Sequence, residues 1–173
     1  MTESVANEAA APMIRLRPET PEDEGFLYDV YASTRVEELQ ATGWDEATRR
    51  AFLQGQFQAQ RRGYRDMFPN GEFQIITRGG ERAGRMVVHR APDEIRLVDI
   101  ALLPAYQSQG IGARLVGTLI AEARDSRRPL RVSVFKPSRA AAFYRRLGFL
   151  KTGEAGPYDL WDWRPADPLT PPG

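Results

Sequence analysis

The sequence predicts an α/β fold of the α+β kind: a single domain on a mixed, largely antiparallel sheet with helices on both faces. Three observations predict it. The hydrophobic period switches between strand and helix values in the order β-α-α-β-β-β-α-β-α-β-β. Residues 95–135 carry a strand, an amphipathic helix and a second strand, which implies a parallel pair joined by a crossover helix. The neighbouring hairpin and the last two strands are joined by short turns, which suit antiparallel neighbours. A length of 173 residues suits one substantial core and is short for two.

Residues 1–12 lack apolar periodicity, and residues 165–173, "PADPLTPPG", are proline-rich, so tails are expected on either side of a domain at 13–164. "MIRLR" alternates and places Ile14 and Leu16 on one face of a short strand. Thr20 as a cap, Pro21 at the first helical position and the following acids start a helix whose stripe is Phe26, Leu27, Val30 and Tyr31. A second helix is predicted from Asp45 to about Phe68, with Leu53, Phe57, Tyr64 and Phe68 along one face. Two strand-like runs then flank Gly79-Gly80, a dipeptide that tolerates the positive φ of a tight hairpin. "EIRLVDIALL" is apolar on both faces except at Arg96 and Asp99, the pattern of a central strand, and Pro104 ends it. The next helix carries Ile111, Leu115, Leu119 and Ala123 on one stripe, with Val116 and Ile120 beside it. "LRVSVF" is a strand, and "PSRAAAFYRRLG" is a short helix with Gly148 at its C-terminal cap. "FLKTGE" and "YDLWDW" are the last two strands, and Trp161 and Trp163 share a face that covers the core.

Bulk composition removes several classes of function. With 24 basic against 23 acidic side chains the net charge is +1, without the basic excess of a protein that neutralises many phosphates, so no nucleic-acid partner is expected. No cysteine is present, which excludes a disulfide scaffold, a Cys-ligated zinc site and a thiol nucleophile. The first dozen residues lack the basic start and apolar centre of a signal peptide, and no apolar run reaches the roughly 20 residues of a membrane span. A cytoplasmic protein with no membrane association and no metal is expected.

The junction "PAYQSQGIG", residues 104–112, places two glycines and small polar residues between the central strand and a helix. A P-loop would end in Gly-Lys-Ser/Thr, which is missing. A dinucleotide fingerprint would need a third glycine where Leu115 stands, and an acid at the end of a strand about 20 residues on. A third arrangement needs only Gln107-x-x-Gly110-x-Gly112: glycines allow close backbone approach, and the free N–H groups of residues 109–113 at a helix start suit a pyrophosphate. The alternative is a glycine-bearing turn with no ligand.

Residues 95–150 resemble the GNAT family of N-acetyltransferases. Gln107, Gly110 and Gly112, after an apolar strand and Pro104, match its first motif. Tyr144, Gly148 and Phe149, with Ala140 four residues before the tyrosine, match its second. Gln107 stands where a basic residue is common, Ser108-Gln109 where Gly-Lys is frequent, and Lys136-Pro137-Ser138 where an Asn often precedes the helix. The resemblance implies acetyl-CoA as donor, its pyrophosphate on the backbone of residues 109–113 (Gln109, Gly110, Ile111, Gly112, Ala113) beside Gln107 and Ser108, and its pantetheine arm along the strand end at Leu102 and Leu103. Arg114, Ser138 and Arg139 are further candidate donor contacts.

Transfer from a thioester to an amine needs a neutral amine, a donor for the oxyanion and a proton for the departing thiolate. By the family match Tyr144 is the candidate acid and donor contact, and a main-chain N–H near Leu102 the oxyanion donor. Asp99, a carboxylate inside "LVDIALL", is a candidate base or a structural partner of a nearby Arg. His89, Glu37 and Glu38 are weaker candidates for the base or for contact with the acceptor. Tyr31, Arg35, Glu38, Trp44, Tyr64 and Phe68 are candidate lining of the acceptor site. The expected function is acetyl transfer to a primary amine of a small molecule or peptide, with a non-catalytic CoA-binding module, or a different acyl donor or a hydroxyl acceptor, as alternatives. A homodimer through the terminal strand edges is compatible with this reading.

Overall fold

In the computed structural model, which describes residues 12–166, seven strands form one sheet in the order β1-β2-β3-β4-β5-β7-β6. The strands are β1 Ile14–Pro18, β2 Glu72–Arg78, β3 Glu81–Arg90, β4 Ile95–Leu102, β5 Leu130–Phe135, β6 Leu150–Ala155 and β7 Tyr158–Trp163. The helices are α1 Glu24–Ser33, α2 Val36–Gln40, α3 Glu46–Met67, α4 Ile111–Ser126 and α5 Ala140–Arg146. Among the described residues only β4 and β5 pair in parallel, and β4 lies at the centre of the sheet as its two-sided apolar pattern predicts. Apart from Pro12, Pro165 and Ala166, the expected tails lie outside the described residues.

Two helical layers bury opposite faces of the sheet. On one face Phe26, Leu27, Val30 and Tyr31 of α1 and Phe57 of α3 pack with Ile75. On the other, Ile111, Leu115, Val116, Leu119 and Ala123 of α4 and Tyr144 of α5 pack with Ile76, Met86, Val88, Ile95 and Leu97. The neighbours Ile75 and Ile76 serve different layers because successive strand side chains point to opposite faces. Each fully buried aliphatic or aromatic side chain adds about 1.5–3 kcal/mol. The turn glycines behave as predicted: Gly79 and Gly80 have φ of 60° and 92°, and Gly148 after α5 has φ 88°.

Some expectations are corrected. A short helix, α2, intervenes before α3; five residues are too few to show a period, and Arg35 at φ −115° separates α2 from α1. Leu16 is exposed on β1, the sheet's edge strand, whereas Ile14 on the same strand packs against the α4–α5 core. Of the predicted α3 stripe only Phe57 is fully buried; Leu53, Tyr64 and Phe68 are half-buried.

One irregularity in β4 shapes the site. Its register with β3 slips between Val87↔Asp99 and Val88↔Leu97, which leaves Val98 as an extra residue. Under strict alternation Asp99 would share a face with Ile95 and Leu97, inside the α4–α5 core. The bulge shifts the phase by one residue. Ile100 and Leu102 now pack with the α4–α5 layer, Ala101 packs with the α1–α3 layer, and Asp99 turns toward α3.

Asp23 anchors the chain where it enters α1. Its side chain is 3% exposed and accepts two bonds from Arg17, at 2.7 and 2.8 Å, with Arg82 at 3.3 Å and the Thr20 N–H at 2.9 Å. The Arg17 bonds, helped by Thr20 and Arg82, hold this carboxyl well below the usual carboxylate range. A folded pKa below the unfolded value of about 3.9 contributes stability that is complete above that value and is lost as pH falls toward the folded one. Asp23→Asn is therefore expected to lower stability at pH 7 by about 1–2 kcal/mol, both arginines being partly screened by water, and to flatten the loss of stability of the parent below about pH 4. Urea unfolding at pH 7, 4 and 3 measures both effects; parallel pH profiles would refute the assignment.

Candidate active site

The sheet splits at its parallel pair, β4 and β5. β4 and β5 pair at Ile95↔Leu130, Arg96↔Arg131 and Leu97↔Val132 and no further, although β4 runs on to Leu102 and β5 to Phe135. The split starts at the Val98 bulge, which bends and twists its strand away from the neighbour. Beyond it the β4 edge that faces β5 has no strand partner among the described residues, so its backbone N–H and C=O groups are available to an extended ligand.

A cleft of about 300 Å³ fills the gap. Residues 97–101 and 132–135 form its strand walls, Ser138, Ala140 and Tyr144 one flank, Thr34, Arg35, Gln60, Tyr64 and Arg85 the other, with Tyr158 beside them. The parted strands thus let side chains from both helix layers reach one space.

The glycine junction lies at the far end of β4. After a 3₁₀ turn at Pro104–Tyr106, Gly110 takes φ 76° and caps α4, and Ser108 has φ 57°. The first helical bond runs from Arg114 N–H to Gly110 O at 3.0 Å. Among the described residues the backbone N–H groups of 108–113 donate to no protein acceptor. They form the positive end of a 16-residue helix, a place that suits phosphate oxygens. The side chains here are spent on the loop itself. Gln107 Nε2 donates to Leu102 O at 2.9 Å, Gln109 Nε2 donates to Ala105 O at 2.7 Å, and Arg78 of β2 donates to Gln109 Oε1. Arg78 is a brace that the motif did not reveal. The Ile111 side chain is in the core, and Ala113 and Arg114 are exposed on the first turn. Ser138 lies on the cleft wall, its Oγ accepting the Ala140 N–H at 3.1 Å, whereas Arg139 does not line the cleft.

Tyr144 is 5% exposed, held edge-on between Phe143 and Phe149 at centroid distances of 5.1 and 5.3 Å. Its ring lines the cleft, and its hydroxyl bonds to no described residue. Burial, reinforced by the charge of Asp99, pushes this phenol above its ordinary value. It is a neutral hydrogen-bond donor, and a weaker acid than a free phenol.

Asp99 faces Arg85. Arg85 Nε lies 2.6 Å from Asp99 Oδ2, with side-chain exposures of 8% and 18%, and the N–H is not directed along the contact, so the pair is an ion contact without an aligned hydrogen bond. Arg85 Nη2 donates to Gln60 Oε1 at 2.8 Å. Sequence reasoning missed Arg85 and Gln60; the available signal was a lone arginine within the apolar run "GRMVV".

Of the candidates for the acceptor site, the structure brings Arg35 and Tyr64 to the cleft. Tyr31 is buried beneath them, with the guanidinium carbons of Arg35 and Arg85 at 5.5 and 5.9 Å from its ring centre. Glu38 pairs with Arg35 at 3.2 Å and lines a neighbouring cavity of about 120 Å³. Trp44 and Phe68 do not line the cleft: Trp44 precedes α3 and packs on Phe52, and Phe68 ends α3 and packs on His89. His89 and Glu37 lie outside it as well. Burial first, and the Asp99 charge second, push the Tyr64 phenol up.

Comparison with known proteins agrees with this geometry. Residues 69–151 match the model of the acetyltransferase (GNAT) domain. No curated protein matches the sequence. Among solved structures, the PaiA N-acetyltransferase of Thermoplasma acidophilum, in complex with coenzyme A, is 16% identical, with a TM-score of 0.64 over 88% of this chain and 99% of that one. An acetyltransferase of Thermus thermophilus is 21% identical, with a TM-score of 0.62 over 89% and 97%. A GNAT family acetyltransferase of Elizabethkingia anophelis, with acetyl-CoA bound, is 18% identical, with a TM-score of 0.54 over 87% and 97%. At these identities the structures show a common fold. Residues 69–151 thus carry the pattern of the GNAT acetyltransferase domain, and the described chain shares the fold of these acetyltransferases. Among the described residues no cluster of three His, Asp or Glu side chains is placed to hold a metal, and no helix is long and apolar enough to cross a membrane.

Proposed function

We propose that this protein is an acetyl-CoA-dependent N-acetyltransferase that passes the acetyl group directly to a primary amine of a small molecule or peptide. The observation that carries the reading is the continuity of the split: the unpaired β4 edge leads from the N–H-lined junction at 108–113 to the Tyr144 hydroxyl and the Asp99–Arg85 pair. Acetyl-CoA supplies the thioester. The junction amides hold its pyrophosphate, and the β4 edge pairs with the amide groups of its arm. The transfer forms one C–N bond and breaks one C–S bond; the amine loses a proton and the sulfur gains one. Tyr144 donates its hydrogen bond to the leaving sulfur, where its raised pKa keeps the proton available near neutral pH. Asp99 is the one carboxylate lining the cleft among the described residues, and we assign it the amine proton, received directly or through water. A backbone N–H near Leu102 faces the developing oxyanion.

Tyr144→Phe tests the assignment. Turnover is expected to fall at least about 10-fold with acetyl-CoA affinity little changed, because the hydroxyl acts on the leaving group and the ring keeps its packing. Thiol release with a panel of amines measures turnover, and calorimetry measures affinity. Unchanged turnover removes Tyr144 from the mechanism. A protein that binds acetyl-CoA yet releases no CoA with any acceptor is a binding module.

A further inference from the structure

We propose that the acceptor is an amine that also carries a carboxylate, and that Arg35 binds that carboxylate. The amine rests on the transferase reading above; the carboxylate rests on the charge and free donors of the cleft. Among the described residues three charged side chains line the cleft: Arg35, Arg85 and Asp99. Arg85 and Asp99 compensate each other at 2.6 Å, and Gln60 occupies a further donor of Arg85. One positive charge is left, on Arg35.

Arg35 is poorly matched by the protein. Its one ion-pair partner among the described residues is Glu38, reached through Nη1 at 3.2 Å. Glu38 is 63% exposed, so this is a surface i,i+3 pair that water screens. Arg35 Nε is buried without a hydrogen-bond partner, and Nη2 donates to no described residue. Nε faces the protein interior, so Nη2 is the donor left to meet a carboxylate oxygen. The group is also pre-oriented, lying 5.5 Å from the centre of the buried Tyr31 ring. An arginine held in place on the cleft wall, with Nη2 unused by the protein, is a carboxylate receptor.

The same charge acts on the reacting amine. A net positive cleft disfavours an ammonium and favours the neutral amine that attack requires. It also rejects diamines, whose second ammonium would meet Arg35 as a like charge.

The test compares matched pairs that differ by the charge alone: the L-amino acids, β-alanine and 4-aminobutyrate, each against its amide, with putrescine as a diamine control. Binding to CoA-saturated protein is read by calorimetry and transfer by thiol release from acetyl-CoA. At least one acid is expected to bind about 10-fold or more tightly than its amide. Arg35→Gln erases that difference, Arg35→Lys restores part of it, and Glu38→Gln, which removes a competing carboxylate, tightens the acid and leaves the amide unchanged. Acid and amide binding alike, neither binding, or an equal loss for both in Arg35→Gln overturns the proposal. Acids that bind through Arg35 yet release no CoA refute the transferase reading and leave the recognition standing; amides or putrescine reacting as well as the acids do the reverse.

Discussion

Gly110→Val is expected to weaken acetyl-CoA binding about 100-fold while the protein stays folded. Gly110 caps α4 at φ 76°, where a β-branched residue is strained by about 1–3 kcal/mol. A Cβ built there meets nothing within 4 Å, so the strain is in the backbone and crowding adds none. The loop relieves it by returning residue 110 to negative φ, which rotates the adjoining peptides and turns their N–H groups from the junction. Losing one or two charge-assisted hydrogen bonds at about 1.5–3 kcal/mol each, with about 1.4 kcal/mol per tenfold in affinity, gives roughly that factor. The melting temperature falls by only a few degrees, about 2–4 °C per kcal/mol for a chain of this size. Titration calorimetry and thermal unfolding check the two halves. Unchanged affinity would place the phosphates elsewhere, and Gly110→Ala repeats the test with less strain.

Gly84→Ala is expected to destabilise the fold itself. A Cβ at Gly84 would stand 2.2 Å from Ala101 O and 3.0 Å from Leu102 Cα, both backbone atoms, and 2.9 Å from Leu102 Cδ2. Gly84 of β3 pairs with Leu102, and the adjacent Ala83 carbonyl accepts the Leu103 N–H at 2.9 Å. No rotamer removes the clash, so the end of β4 must separate from β3. The cost is about 3 kcal/mol or more, at the upper end for overpacking, which corresponds to roughly 6–12 °C in melting temperature. This strand end leads into the junction, so acetyl-CoA affinity falls as well. An unchanged melting temperature would show that β4 gives way freely.

The layout was legible because each element announces itself locally. The stripe Ile111, Leu115, Leu119 and Ala123 marks a helix whichever surface it meets, and all four are buried. Gly79-Gly80 marks a hairpin because few other residues accept positive φ at both positions. Gly110 and Tyr144 could be singled out because the motifs that hold them are spacings along the chain, and they lie at the start of α4 and on the cleft wall. The acceptor side was less legible. Tyr31, Arg35, Glu38, Trp44, Tyr64 and Phe68 all fitted it by sequence position, yet Trp44 and Phe68 pack away from the cleft. Arg85 carried only a faint signal, and Gln60 carried none.

By itself, the sequence determined the order of elements, the central place of β4, the loop between β4 and α4, and the tyrosine of α5. These depend on period, turn chemistry and spacing, which are properties of neighbouring residues. Only the tertiary structure decided where the sheet opens and what faces the opening. The Val98 bulge turns Asp99 from the α4–α5 core to Arg85, and the parting of β4 from β5 lets α3 and α5 look into one cleft. The physical reason is that pairing register and charge partnership join residues far apart in the chain, so no local pattern records them. The "IRLVDIALL" run held a trace, an apolar pair at Leu97-Val98 where alternation slips, but its meaning appears only against β3.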